Sequence, residues 1–389
     1  MTVEVNWKRL KATHRELGGQ DALILQLLPD QPTTADVLDR ALVNDPYPTN
    51  ESPANGGWFP GPGGWLLLLE TLVDQMLWDW IGDLAQRLTD SGINGRLTGA
   101  RQAGRVAWAQ PFEDPPRGYN EEVGDIRLYG VLAYQPQPSV TRYGKGWGAD
   151  VDTLDQVLDH ILGWALADAD LAHVMMGQVS IGVPPGHARS LVRREMTTDY
   201  GGLTSGYSRA HHWVRNVGFH FPIMVSVQQA RLDPDPWETI VAELRQVITT
   251  APRDTLALAR VDFDGTFLSG SDDPIHGHYA PAFDLYPELF GEWSLDPCPI
   301  QILTNTHLAK AHDLSDWNLT RLDLGHTLVE AKDLTPWFTT FGPHGFLNRA
   351  GYHFPPALLA QGRHDFGDMI LTRDTAERLG LMDRPRPGR

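Results

Sequence analysis

Three amphipathic segments, each followed by a strand-like segment, constrain the fold of this 389-residue chain more than any other feature. Apolar residues recur at intervals of three and four in helices expected to begin at Trp65, near Val151 and at Pro236. The third start is the sharpest, because Asp235 stands at the N-cap position, Pro236 follows it and Glu238 completes a capping box. The nearly even spacing of the three starts is compatible with a weak helix-then-strand repeat.

Strands are expected between these helices, and several of them alternate apolar and polar residues. Such alternation favours an antiparallel or mixed sheet with one face in water. Shorter helices are expected over 7–19 and from Thr34 to about Val43. The sequence therefore predicts an α+β or mixed α/β fold, with amphipathic helices packed on mixed, largely antiparallel sheets. The expected strands are 22–28, 96–108, 126–134, 179–183, 219–228, 256–268, 300–303, 317–323 and 326–331.

The chain is long enough for two or three structural units at roughly 150 residues per domain. Pro- and Gly-rich sequence at 136–150 and a second break near 250–254 are candidate boundaries. We therefore expect α/β units over 1–140, 146–250 and 251–389. The Pro- and Arg-rich tail, 384–389, is expected to be disordered.

The formal net charge of -17 limits the partners that the chain can bind. A surface this acidic repels phosphate groups, and the Lys and Arg residues are scattered along the sequence. We therefore expect no nucleic-acid and no membrane-surface binding. The most apolar stretch, 65–77, contains Glu70 and Asp74, so it is too polar to cross a bilayer.

Cysteine content and the N-terminal sequence bear on the compartment. Cys298 is the single cysteine, which excludes a disulfide within the chain and a cysteine-based metal site. The first residues lack the basic and apolar regions of a signal peptide. A cytoplasmic protein is expected. Because Cys298 lies between Pro297 and Pro299, a buried or strained loop thiol is also expected.

A pair of carboxylates with a chemically useful spacing follows the strand expected near residue 256. The chain reads Val261-Asp262-Phe263-Asp264-Gly265, followed by Thr-Phe-Leu. This resembles the first motif of haloacid dehalogenase-type phosphohydrolases, Asp-x-Asp-Gly-Thr after an apolar strand. The resemblance implies that Asp262 is the nucleophile, that Asp264 is the general acid/base and that Mg²⁺ shares the Asp262 carboxylate, with Asp264 among the metal residues.

Later residues are similar to the remaining motifs of that family and occur in the same order. The resemblance implies that Thr304, at the end of an apolar strand, holds a phosphate oxygen and that Lys332 supplies a cation. Asp368 would complete the metal carboxylates, with Asp374 beyond it. Three features depart from the family pattern: Arg260 interrupts the first strand, Asp374 comes six residues after Asp368, and the segment before Gly367 is polar.

A second interpretation of the Asp262 segment needs no catalysis. In an alternating antiparallel strand Val261 and Phe263 would face inward, while Asp262 and Asp264 would face water. A glycine turn would follow. The two interpretations differ in the direction of the neighbouring strands.

Histidines are frequent in the C-terminal third, where they offer candidate metal ligands. His276-Gly-His278 resembles the opening of a cupin metal motif, without the glutamate that should follow. The two histidines could bind a metal with Asp284 or Asp272. The alternative is a polar loop.

Composition favours a binding function over a catalytic one. Thirteen tryptophans are a high count, and tryptophan is enriched at binding hot spots. The leading hypothesis is a soluble acidic protein-binding module without a cofactor, of which an immunity-like or antitoxin-like inhibitor of a basic partner is one version. The alternative is a Mg²⁺-dependent phosphohydrolase with Asp262 as nucleophile.

Overall fold

The described residues form two compact units, each built from two stretches of chain. A computed structural model describes residues 2–16, 23–42, 53–54, 57–61, 63–69, 73–100, 128–135, 151–176, 179–196, 202–208, 213–219, 222–229, 236–263, 282–283, 287–338 and 354–381. The first unit joins Met1–Pro111 to Asp168–Ser208, and the second joins Phe112–Ala167 to Arg209–Arg389. This partition differs from the three consecutive units expected from the sequence. The tail 384–389 lies outside the described residues.

Ten α-helices and fifteen strands are found in the described ranges. The helices are α1 (Trp7–Glu16), α2 (Ala35–Asp39), α3 (Gln75–Asp90), α4 (Val151–Ala165), α5 (Pro185–Met196), α6 (Pro236–Thr249), α7 (Asn305–Leu308), α8 (Thr335–Phe338), α9 (Pro356–Phe366) and α10 (Arg373–Arg378). The strands are β1 (Val3–Val5), β2 (Leu23–Pro29), β3 (Phe59–Gly61), β4 (Gly64–Leu69), β5 (Gly95–Gly99), β6 (Leu128–Tyr134), β7 (Leu171–Met176), β8 (Val179–Val183), β9 (Gly202–Ser208), β10 (Trp213–Phe219), β11 (Ile223–Gln229), β12 (Leu256–Phe263), β13 (Ile300–Thr304), β14 (Trp317–Arg321) and β15 (His326–Ala331).

The first unit contains a five-stranded mixed sheet in the order β1-β5-β2-β4-β3. The pair β1–β5 is parallel, whereas β2 runs antiparallel to both β4 and β5. Leucines at 23, 25 and 27 of β2 and at 77, 84 and 88 of α3 are completely buried in one apolar core. The same unit contains β7, which pairs antiparallel with both β8 and β9.

The prediction that a helix begins at Trp65 is wrong. Residues 64–69 form β4, which pairs with β2 along the run Trp65–Leu69. Four consecutive leucines, 66–69, have no polar face and are all buried, as a strand covered on both sides requires. The helix begins instead at Gln75, where the Asp74 carboxylate accepts a hydrogen bond from the Leu77 amide at 3.1 Å. The even spacing of the three helix starts is therefore lost.

In the second unit, strands pair in the order β14-β15-β13-β12-β6-β11-β10, antiparallel at each step. Helix α6 packs on β6, β11 and β12. Gly130 of β6 permits this close packing, because a Cβ there would lie 2.7 Å from the Val225 side chain and 3.3 Å from that of Ile248. The expected α+β class with mixed, largely antiparallel sheets is confirmed.

Several expected elements differ from the structure in their extent. Helices α4 and α6 begin at Val151 and Pro236, as predicted, and each is followed by a strand. Helix α2 ends at Asp39 rather than near Val43. Strand β10 was not anticipated; it pairs with β11 as a hairpin. None of the helices in the described ranges is long and apolar enough to cross a membrane.

The N-cap of α3 can be tested by mutation. Asp74→Ala removes the acceptor for the Leu77 amide, and we expect the free energy of unfolding to fall by about 1 kcal/mol. Urea denaturation followed by circular dichroism measures the change. Asp83→Ala, an exposed position in the middle of the same helix, is the matched control and should leave stability unchanged or slightly raised. Equal losses in both variants would contradict the capping role of Asp74.

Candidate interaction surface and the predicted catalytic residues

Helix α3 has one face in the core of the first unit and an opposite face that is acidic. Its buried face is apolar and includes Trp80, Ile81 and Leu84. Asp79, Asp83 and Asp90 are exposed at intervals that place them along the outer face, and we call these three residues the acidic stripe. Helical periodicity therefore separates apolar from acidic residues on this element.

The acidic stripe is not neutralised by its own helix. Arg87 is the single cation of α3, and its guanidinium donates to the Ala41 carbonyl oxygen at 2.8 Å and lies over the Trp80 ring. Asp79 and Asp90 instead accept hydrogen bonds from the side-chain amides four residues earlier, at 2.7 and 2.8 Å. Asp90 also lies in the last turn, where the helix dipole disfavours a negative charge. The glutamine amides bind two of the carboxylates without neutralising them, so the stripe keeps its negative charge.

Helix α1 lies beside α3 and has a face of opposite charge. Lys8, Lys11 and Arg15 are exposed, and we call them the basic stripe. The Lys11 ammonium lies 5.9 Å from the centre of the Trp78 ring of α3. Within the described chain, no ion pair joins the basic stripe to the acidic stripe. The sequence-based view that cations are only scattered therefore overlooked this local group on α1.

Aromatic rings fill the seam between the two helices. Trp7 and Trp78 meet edge to face with ring centres 6.5 Å apart, and His14 meets the same Trp78 ring at 6.1 Å. Trp7 also approaches Gly82, where an added Cβ would contact the Trp7 ring at 3.8 Å. Trp7 is 38% exposed and Met76 is 46% exposed. The α1–α3 surface thus combines two stripes of opposite charge with accessible apolar side chains.

Asp262, the predicted nucleophile, lies in the interior of the second unit. Strand β12 is antiparallel to both of its neighbours, β6 and β13. The Asp262 side chain is 1% exposed, and its carboxylate lies 2.7 Å from the guanidinium of Arg260, which is equally buried. Val261 is also buried, so both faces of β12 are covered here. The expectation that Asp262 faces water is wrong, because Arg260 provides a partner inside. Asp264 lies outside the described residues.

The buried charges form a larger group. Burial lowers the pKa of Arg260, but the Asp262 carboxylate opposes this effect, and the resulting pKa is raised. The carboxylate of Asp296 also raises it, and this residue forms a two-point ion pair with Arg363 at 2.9 and 2.7 Å. The Cys298 thiol lies in the same region; burial raises its pKa to about 12. Cys298 is buried, as the sequence indicated, and its thiol is not in a thiolate-forming environment.

Thr304 is distant from Asp262. In the register of β12 and β13, Ala259 lies opposite Ile302 and Arg260 opposite Gln301. Because the strands run in opposite directions, Asp262 and Thr304 lie toward opposite ends of the pair. At about 3.3 Å per residue they are separated by about 16 Å along the strands. The structure therefore does not bring these two residues together.

Thr304 has a local structural role. Its hydroxyl lies 2.8 Å from Nδ1 of His307, and the pair forms a capping box at the start of α7. The other ring nitrogen of His307, Nε2, lies 3.2 Å from the Trp293 carbonyl oxygen. These partners assign the ring proton to Nε2, with Nδ1 as the acceptor. Burial lowers the pKa of His307 to about 4, so the ring is neutral at pH 7.

The two other residues of the predicted phosphohydrolase set are exposed. The Lys332 ammonium donates to the Ser315 carbonyl oxygen at 2.6 Å and lies 3.8 Å from Asp316. The Asp368 side chain is 86% exposed, with the His312 ring 3.5 Å away. Lys332 and Asp368 therefore each contact residues close to them on the surface, and neither contacts Asp262.

The described ranges contain no group of three or more His, Cys, Asp or Glu side chains that could hold a metal ion. His276, His278, Asp272 and Asp284, the candidate ligands at the cupin-like segment, lie outside those ranges. A metal site at that segment stays a prediction.

A shallow groove in the second unit lies between α4 and α6 and has a volume of about 300 Å³. Arg215 of β10 pairs with Glu243 at 2.8 Å and donates to the Trp164 carbonyl oxygen at 2.9 Å. Its guanidinium also lies 5.3 Å from the Trp164 ring centre. These contacts join β10, α4 and α6 along the groove.

Comparison with protein-family models, curated protein sequences and solved structures produced no match.

The buried ion pair of β12 can be tested by a double-mutant cycle. Asp262→Leu leaves the Arg260 guanidinium buried without its partner, and we expect a loss of about 3–5 kcal/mol in the free energy of unfolding. Arg260→Met should cost a similar amount. The double variant should be more stable than either single variant, because no charge is then stranded. Chemical denaturation measures all four proteins, and additive losses would contradict the pairing.

The neutral state of His307 predicts a pH dependence of stability. Its pKa is near 4 in the folded chain and near 6.5 in the unfolded chain, so its contribution is complete above pH 6.5. Stability should fall by about 1.4 kcal/mol per pH unit as the pH drops toward 4 and then level off.

His307→Asn removes this titration, and denaturation curves between pH 4 and 8 should show a smaller loss at low pH. His312→Asn, at a half-exposed ring, is the control and should keep the parental slope. Identical slopes for the parent and His307→Asn would exclude the assignment.

Proposed function

We propose that the chain is a protein-binding module that takes a basic protein partner on the α1–α3 surface, in the manner of an immunity-like or antitoxin-like inhibitor. One observation carries this proposal: Asp79 and Asp83 are exposed at i and i+4, Asp90 follows two turns later on the same face, and Arg87 turns toward Ala41 and Trp80 rather than forming an ion pair with any of them. Like charges at this spacing destabilise a helix. The stripe therefore presents negative charge that a basic partner can pair with.

Long-range electrostatics supports a basic partner. The net charge of -17 attracts a basic protein from a distance and speeds encounter, and the acidic stripe then offers local pairing positions. A cytoplasmic location, expected from the low cysteine content, belongs to the same proposal, since partner and inhibitor must share a compartment.

The apolar side chains of the surface supply the expected anchors. Trp7 and Met76 are large and accessible, and Trp78 holds Trp7 by its edge-to-face contact. Aromatic anchors at the centre of a protein interface, with charges around them, are the usual arrangement of binding hot spots. A partner that covers Trp7 would also cover the neighbouring carboxylates.

The basic stripe of α1 contributes orientation. Lys8, Lys11 and Arg15 repel a uniformly cationic surface, so they disfavour approach in the wrong direction. A partner that has a few carboxylates beside its basic patch satisfies both stripes. The surface therefore selects for a charge pattern as well as for net charge.

The phosphohydrolase alternative has less support. Its nucleophile, Asp262, is buried and paired with Arg260, and Thr304 lies at the opposite end of the strand pair. A phosphate ester would need access to a carboxylate that water does not reach.

The double charge reversal Asp79→Lys/Asp83→Lys tests the proposal. Immobilised full-length chain should capture a basic protein from an extract of its own cells at low salt and release it near 0.5 M salt. The double variant should lose this protein, because two attractive contacts become repulsive. Titration with the purified protein should show binding weakened at least tenfold.

The matched control is Asp316→Lys/Asp374→Lys, which changes net charge equally at two exposed carboxylates of the second unit. It should keep the captured protein. A partner bound equally by both double variants, or one insensitive to salt, would refute the α1–α3 surface as its binding site.

A further inference from the structure

Strand β14 lies at the edge of its sheet and is exposed on its outer side. It is the first strand in the order β14-β15-β13-β12 and pairs with β15 alone among the described elements. Four of its five residues are exposed, and Leu319 at its centre is 51% exposed. Natural proteins normally protect such edges with charge or proline, because unpaired backbone groups accept further strands.

The hydrogen-bond pattern identifies which backbone groups of β14 face outward. The Leu322 amide donates to the His326 carbonyl oxygen, while Ala331 of β15 donates to Pro299 on the opposite side. Along an antiparallel pair, the backbone groups of successive residues point alternately toward and away from the partner strand. The amides and carbonyls of residues 318 and 320 therefore point toward β15. The amide and carbonyl of Leu319 and Arg321 point away from it. In the part of the chain that the structure describes, these groups have no backbone partner.

Charge makes this edge suitable for contact with an identical chain. Residues 317–322 contain no carboxylate and a single cation, Arg321, in a chain of net charge -17. The two aspartates that flank them are each paired with a cation of the same chain, Asp316 with Lys332 at 3.8 Å and Asp323 with Arg253 at 2.6 Å. Two copies repel each other over most of an acidic surface, so a contact between them is favoured where carboxylates are missing. Beyond the strand, Leu324 is 62% exposed at the hairpin tip and adds apolar area to the same edge.

We propose that β14 pairs antiparallel with β14 of a second copy of this chain, about a two-fold axis through Leu319. The Leu319 amide and carbonyl of each copy would bond reciprocally, as an isologous contact requires. In this register Arg321 lies opposite Trp317 of the second copy, so the two arginines are not opposed. The two Leu319 side chains become direct neighbours on one face of the continuous sheet.

Molecular mass in solution tests the pairing. Sedimentation equilibrium of the full chain over a range of concentrations should show a monomer–dimer equilibrium. Leu319→Glu places two carboxylates opposite each other and should weaken dimerisation at least tenfold without changing the circular dichroism spectrum. Leu379→Glu is the matched control, because Leu379 is similarly exposed at 48% and lies at the C-cap of α10, away from β14 in the sequence; it should dimerise like the parent.

A monomeric parent at every concentration would overturn the proposal. So would a dimer that Leu319→Glu leaves intact, since that dimer would use another surface. The binding proposal for the α1–α3 surface does not depend on either result.

The register is tested by cross-linking. Cys298 is buried and gives little background reaction. Directly opposed residues have Cβ atoms about 5 Å apart, within reach of a disulfide after small adjustments. Leu319→Cys treated with oxidised glutathione should form a disulfide-linked dimer. Thr320→Cys, which faces position 318 of the second copy, should form far less. Equal cross-linking by the two variants would exclude a two-fold axis at Leu319.

Discussion

The ion pair between Arg260 and Asp262 is the interaction on which the second unit depends most directly. Strand β12 lies between β6 and β13 and is covered on both faces, so any charge on it must be satisfied internally. Two residues apart on one strand, the guanidinium and carboxylate point to the same face and neutralise each other. Asp296, in the neighbouring loop, and Arg363, on α9, form a second ion pair of the same kind. Strand β12 can therefore pair with β6 and β13 although it has two charged residues at its centre.

Local sequence patterns predicted much of the secondary structure. They were least reliable for segments whose conformation depends on contacts with residues distant in the sequence. Caps and apolar periodicity located the starts of α4 and α6, and a short apolar run located β8. The Trp65 segment was misassigned, since an apolar run reads equally as helix or strand until its partner, β2, is known. Arg260 was taken as an interruption of a strand, although residues two apart on a strand point to the same face and Asp262 stands at that spacing. This spacing is the signal that could have predicted the buried pair.

The candidate surface illustrates a similar limit. The acidic face of α3 follows from helical periodicity, but its lack of compensation depends on where Arg87 turns, and that is a matter of packing against Ala41 and Trp80. The basic stripe of α1 is visible in the sequence as a run rich in Lys and Arg. Its significance comes from its position beside α3, which the contact of Lys11 with Trp78 establishes. Net charge alone therefore concealed a surface of two signs.

Because Cys298 is buried, its reaction with thiol reagents reports local opening of the second unit. A thiol with no exposed area and a pKa near 12 is closed to electrophiles while the strands around it stay paired. Any thiol-reactive reagent that labels the unmodified chain must therefore reach it through a transient opening of the second unit. The rate of labelling at this one thiol then measures how often the region around the buried charges opens, without an introduced probe.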